Sequence, residues 1–223
     1  MKFRKIFLMM LCTLSLIIDS EKTDSEKYRK LKINDVPSIK RTDLPQEFCD
    51  KAFEVIDEFI RKTHDLNYEI LLYFDYRTGE ILRVKIGNEE NVKLKFKDRE
   101  FDGKHVASLH NHTKDMYTPP SDKNFGIFSR AWEEYELIAT NTKLWILKGK
   151  LKDNKLCFEL KIMSNILFNI SLENATLIHE TKEEIEDECD ELYGTLLSKY
   201  INDKNEKEIQ LTEKVYSNER KNH

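Results

Sequence analysis

Between residues 68 and 148 the chain breaks into short apolar or alternating runs separated by turn residues, and this pattern constrains the fold more than any other feature. Such runs read as strands, because side chains on extended backbone alternate between two faces. Residues 68–75 are apolar and aromatic, Arg77-Thr78-Gly79 turns the chain, and 80–86 returns to end at Gly87. In 91–97, Val92, Leu94 and Phe96 face one way and Lys93, Lys95 and Lys97 the other, which predicts a half-exposed strand. Residues 105–109 form a further short strand. Residues 135–140 and 144–148 predict a hairpin across Asn141-Thr142, and 155–163 reads as one more strand.

Helical spacing surrounds these runs. Asp43, Pro45 and Gln46 predict a helix start with Asp43 as its cap. Phe48, Ala52, Val55, Ile56, Phe59 and Ile60 then recur at helical intervals, so that helix packs one face on a sheet. The Pro119-Pro120 turn predicts a helix over 121–132. Residues 180–191 hold eight acidic side chains and one basic one. Within and beyond that segment, Ile185, Cys189, Leu192, Leu196 and Tyr200 keep an amphipathic helical spacing, for docking on the domain or on another chain. Beyond Asn202 the chain is charged and is expected to fray. The expected class is α/β (α+β), a mixed sheet flanked by helices with a charged C-terminal helical tail.

Composition narrows the function. The net charge is −4 and the pI about 5.9, with no basic field to call for nucleic acid. Cys12, Cys49, Cys157 and Cys189 lie far apart without a CxxC pair, which disfavours a cysteine zinc site. Lys2, Arg4 and Lys5 precede an apolar run at 6–18, as in a signal peptide, and residues 19–42 read as a polar linker. The run is shorter than the roughly 20 residues that span a bilayer. Secretion or membrane tethering through this segment and a cytoplasmic location both remain open.

The stretch richest in chemistry is Ser108-Leu109-His110-Asn111-His112-Thr113, followed by Thr118-Pro119-Pro120-Ser121-Asp122-Lys123-Asn124. A His-x-His pair at a strand end sends both imidazoles to one side. Two neutral imidazoles facing one way can hold a divalent metal, and catalytic zinc takes three protein ligands and one open position. Ser121 and Asn124, three apart, share a face of the expected helix. His105 points away from the pair and reads as structural.

These residues resemble the JAMM motif of the JAB-type MPN-domain zinc metalloproteases: His-x-His-Pro, a short loop, then Ser-x-x-Asp, with a glutamate on an earlier strand. The resemblance covers roughly residues 45–150 and is strongest to the prokaryotic and phage-associated branches. It implies an MPN-like sheet, a Zn2+ cofactor held by His110, His112 and the residue at Asn124, Glu69 as general base, and Ser121 as oxyanion helper. It implies hydrolysis of a peptide or isopeptide bond in a protein or peptide substrate. Three departures stand out: Thr113 replaces the proline, the loop to Ser121 is one residue longer, and Asn124 replaces the aspartate. Asp122 or Asp115 is the alternative third ligand. The alternative function is an MPN-like scaffold or binding module lacking a full ligand set. Two other readings compete: an HNH nuclease, whose residues are spread over a larger unit, and a PHP-type phosphoesterase, which needs further histidines downstream. The implied layout is an apolar signal or anchor segment at 1–20, a linker at 21–42, a JAMM/MPN-like domain at 43–165, and a charged amphipathic helix and tail at 178–223.

Overall fold

The computed structural model describes residues 23–33, 38–87, 101–113, 119–204 and 209–216. The N-terminal apolar segment, the alternating run at 91–97 and Asp115 lie outside them. Six strands form one mixed sheet: β1 (Ile70–Asp75), β2 (Ile81–Ile86), β3 (Val106–Asn111), β4 (Glu133–Ala139), β5 (Lys143–Gly149) and β6 (Ile209–Val215). Their order is β2-β1-β3-β4-β5-β6, and β3 with β4 is the parallel pair among antiparallel neighbours. Helices α1 (residues 23–30), α2 (Asp50–Thr63), α3 (Asn154–Ile178) and α4 (Lys182–Asn202) flank the sheet. The protein is therefore α+β, with a mixed sheet between helices.

The period-two pattern divides the sheet into two working faces. On one, Ile70, Leu72, Phe74, Ala107, Leu109 and Leu137 meet Ala52, Ile56, Phe59 and Ile60 of α2. The other carries two separate apolar clusters. Leu71, Tyr73, Val106 and Phe101 form one, near β1 and β2. Ile138, Trp145, Leu147 and Leu211 form the other, under Phe125, Phe128 and the α3–α4 hairpin. Gly194 lets α4 press onto this second cluster, since a Cβ there would stand 2.6 Å from the Trp145 ring.

Several segments depart from the sequence pattern. Helix α2 starts at Asp50 with the Cys49 Sγ accepting from Ala52 N–H, while Asp43 instead accepts from Lys40 N–H at 2.7 Å in a 3-10 turn at Arg41–Asp43. The delay lets Phe48 bury first, stacked on Tyr76 at 5.0 Å between ring centroids. The expected helix at 121–132 is a short 3-10 segment, Asn124–Phe128, whose Phe125, Ile127 and Phe128 are all buried. Residues 155–163 are not a strand; they open the long helix α3, capped by the Asp153 carboxylate. The acidic helix is α4, and Thr181 caps it. The segment expected to fray contains β6, which completes the sheet by pairing Leu147 with Leu211 and Gly149 with Ile209.

Candidate functional site

Register places the motif residues relative to one another. Leu71 pairs with His110 across β1 and β3, so both side chains point to the same face. Two residues further, Glu69 just before β1 and His112 just after β3 share that face. The ladder continues through both positions: Gly87 N–H donates to Glu69 O at 2.8 Å, and His112 N–H to Ala139 O at 2.9 Å. The imidazoles of His110 and His112 are 5.3 Å apart between centroids, and each residue is 8% exposed. They occupy the gap between the two apolar clusters, at the carboxyl ends of the parallel strands.

Asn111, the middle residue of the triplet, points to the opposite face. Its Oδ1 accepts from Ile70 N–H at 2.7 Å, and its Nδ2 donates to Tyr68 O at 3.1 Å. These two bonds bracket Glu69. Asn111 thus ties the backbone on both sides of the candidate base to the strand that carries the histidines.

A buried polar network lies beside His110. Glu136 on β4 brings its Oε1 within 3.9 Å of His110 Nδ1. The same Oε1 accepts from Asn124 Nδ2 at 2.8 Å, and Oε2 pairs with Arg130 Nη2 at 2.9 Å. Arg130 Nε also stands 2.6 Å from Glu133 Oε2, and Ser108 Oγ donates to Glu133 Oε1. Burial raises the Glu136 carboxyl to about 7, against the opposing pull of Arg130. Burial, then the neighbouring His112 and Arg130, hold His110 well below the usual histidine value. The His110–Glu136 approach is therefore that of a neutral imidazole to a carboxyl, not a salt bridge.

Asn124 has a definite orientation. Its Oδ1 accepts from Ser121 N–H at 2.7 Å and from Ser121 Oγ at 3.1 Å. Those two bonds use both lone pairs of the amide oxygen. Ser121 does not cap a helix; it donates to the side chain expected to be its helical neighbour. Among the described residues, Asn124 and Glu136 link Ser121 to His110. Asp122 is half-buried and faces Tyr193 of α4, whose hydroxyl it holds above its ordinary value after burial and opposite to Ser164.

The structure thus brings Glu69, His110 and His112 to one face and links Ser121 and Asn124 to them indirectly. Among the described residues, no three His, Cys, Asp or Glu side chains stand close enough to hold a metal together. The donors present are the two imidazoles, His110 held unprotonated by burial, with carboxyls on neighbouring strands. Glu136 and Arg130 escaped the motif reading. Their signal was Glu136 itself, a charged residue at the parity of Ile138 in a mostly apolar strand. No family model, curated protein or solved structure matches the chain.

Proposed function

We propose that this chain is a zinc-dependent hydrolase of the JAMM type, cleaving a peptide or isopeptide bond in a protein substrate. One observation carries the reading: sheet register aligns Glu69, His110 and His112 on one face, in the gap between the two apolar clusters. His110 and His112 are the residues that would hold the ion. Bound there, zinc would lower the pKa of a bound water to about 7 and polarise a carbonyl.

The protein's own residues supply the rest. Burial keeps His110 unprotonated at neutral pH, so its nitrogen lone pair is available. Glu136 stands 3.9 Å from Nδ1 of His110, on the side from which a carboxyl orients a ligating imidazole once it closes to hydrogen-bond distance. Glu69 is the proton acceptor for the attacking water and returns the proton to the leaving amine. The Asn111 bonds to Tyr68 and Ile70 fix the backbone from which Glu69 projects. Ser121 donates to the developing oxyanion once its hydroxyl turns from Asn124.

Metal analysis tests the reading. The purified chain should carry about one zinc, as a site built on His110 and His112 requires. His110→Ala should lose it, and Glu69→Gln should keep the zinc while abolishing hydrolysis. Failure to bind zinc at neutral pH would sink the enzyme reading.

A second reading is an MPN-like scaffold without catalysis. The Asn124 geometry favours it: a neutral amide stands at the aspartate position of the motif, and its oxygen is engaged by Ser121. It predicts a stable fold that is indifferent to zinc and to His112→Ala.

A further inference from the structure

Helix α3 is built inside out. The residues it turns inward include Cys157, Ser164, Ser171 and Ala175, small side chains that allow close packing on α4. Outward it shows Phe158, Ile162, Ile166 and Ile170 at four-residue intervals, with Leu172 and Leu177 alongside. Phe158 is 66% exposed and Leu177 84%. Between Glu159 and Glu173 the only charge on the helix is Lys161. A solvated helix face carries charges there, whereas this one carries large apolar side chains interspersed with the neutral Asn165 and Asn169. Taking roughly 200 Å² for a fully exposed large apolar residue, these six leave about 600 Å² in water. That is most of the ~800 Å² per partner that a stable complex covers.

We infer that this face of α3 is a self-association surface, on which a second copy of the chain docks antiparallel across a two-fold axis. The area is one argument, and charge placement is the other. An axis at the level of Leu167 sets Ile162 beside Leu172 of the second copy and Phe158 near its Leu177. The same register sets Lys161 beside Glu173 of the second copy. Neither residue has an ion-pair partner among the described residues of its own chain. By symmetry each contact occurs twice. A lipid surface is the poorer occupant: Lys161 is a single cation, and the adjoining α4 is lined with Glu183, Glu186, Asp187 and Glu191. That acidic face repels anionic headgroups. No helix among the described residues is long and apolar enough to cross a membrane.

Sedimentation equilibrium of the full chain across the micromolar range tests the inference. The wild type should dimerise, and Ile166→Asp should be monomeric with an unchanged far-UV spectrum, since that side chain is solvent-facing. Lys161→Glu should weaken the dimer about tenfold by making two like-charge contacts, and adding Glu173→Lys should restore it. A wild type that stays monomeric overturns the inference. So does a dimer that Ile166→Asp leaves intact. So does a monomer that floats with phosphatidylcholine–phosphatidylglycerol vesicles through this face. None of these outcomes depends on zinc or hydrolysis.

Discussion

At position 124 the residue type is explained by what it touches. A neutral amide can donate to Glu136 Oε1 while accepting from Ser121, whereas an aspartate would set a second carboxylate against Glu136. Two carboxylates sharing a site cannot both ionise cheaply. Asn124→Asp should therefore lower the melting temperature at pH 8 by several degrees and much less at pH 5. Added zinc should reverse the loss at pH 8 if the new carboxylate reaches the histidine pair, and thermal melts with and without the metal read this out. Asn111 was legible as part of the triplet but its role was not. Sequence spacing gives the face of a side chain, and only the fold shows that the opposite face is where β1 begins. Asn111→Leu leaves Ile70 N–H and Tyr68 O unpaired and should cost about 1–3 kcal/mol in chemical denaturation. Under the proposed hydrolase reading it should also reduce turnover more than substrate affinity, because Glu69 loses its fixed backbone.

Among the elements, those with a clean period were readable. Strands β1, β2, β4 and β5 fall close to the predicted runs because their alternation is bounded by Gly79, Gly87 and the 140–142 turn. The start of α3 was misread for a physical reason: Leu156, Phe158, Leu160 and Ile162 alternate as in a strand. They do so because this helix has apolar residues on both its inner and outer faces, so a short window hides the 3.6-residue period. Strand β6 was obscured by surrounding charge, although Ile209 and Leu211 alternate with exposed Gln210 and half-buried Thr212. Helix α4 carries a latent pH response. Burial, then Asp187 and Glu186, raise the Asp190 carboxyl to about 7, and Asp122 faces the same neighbourhood through Tyr193. A carboxyl with a raised folded pKa favours folding below its unfolded value near 4, and that advantage is lost as pH rises through 7. Asp190→Asn should raise the melting temperature at pH 8 by roughly 2–4 °C and have no effect at pH 4.

For the molecule as a whole, the sheet is held from both sides, and its last strand is structural. Leu211 is 1% exposed and packs with Ile138, Trp145 and Leu147 beneath α3 and α4. Leu211→Ala should cost about 2–4 kcal/mol by denaturant titration. A chain ending at residue 204 exposes the edge of β5 and should aggregate on refolding. The fold class was legible because it follows from patterning summed over the chain. The polar network was not, because Arg130, Glu133 and Glu136 become neighbours of Ser108 and His110 only when β3 and β4 meet.

That meeting has a kinetic side. The β1–β2 and β4–β5 hairpins close over short loops, whereas β3 joins β4 in parallel through a crossover that carries Ser121 and Asn124. Non-local parallel pairing forms slowly, after local hairpins. The histidine pair and its carboxyl neighbours straddle that join, so the site is assembled at the closing step of folding. If the proposed site binds zinc, capture of a colorimetric zinc indicator's metal in stopped-flow refolding should coincide with the slowest phase of tryptophan fluorescence, that of Trp132, which ends the crossover and packs on Tyr73 of β1, and not with the early gain of secondary structure.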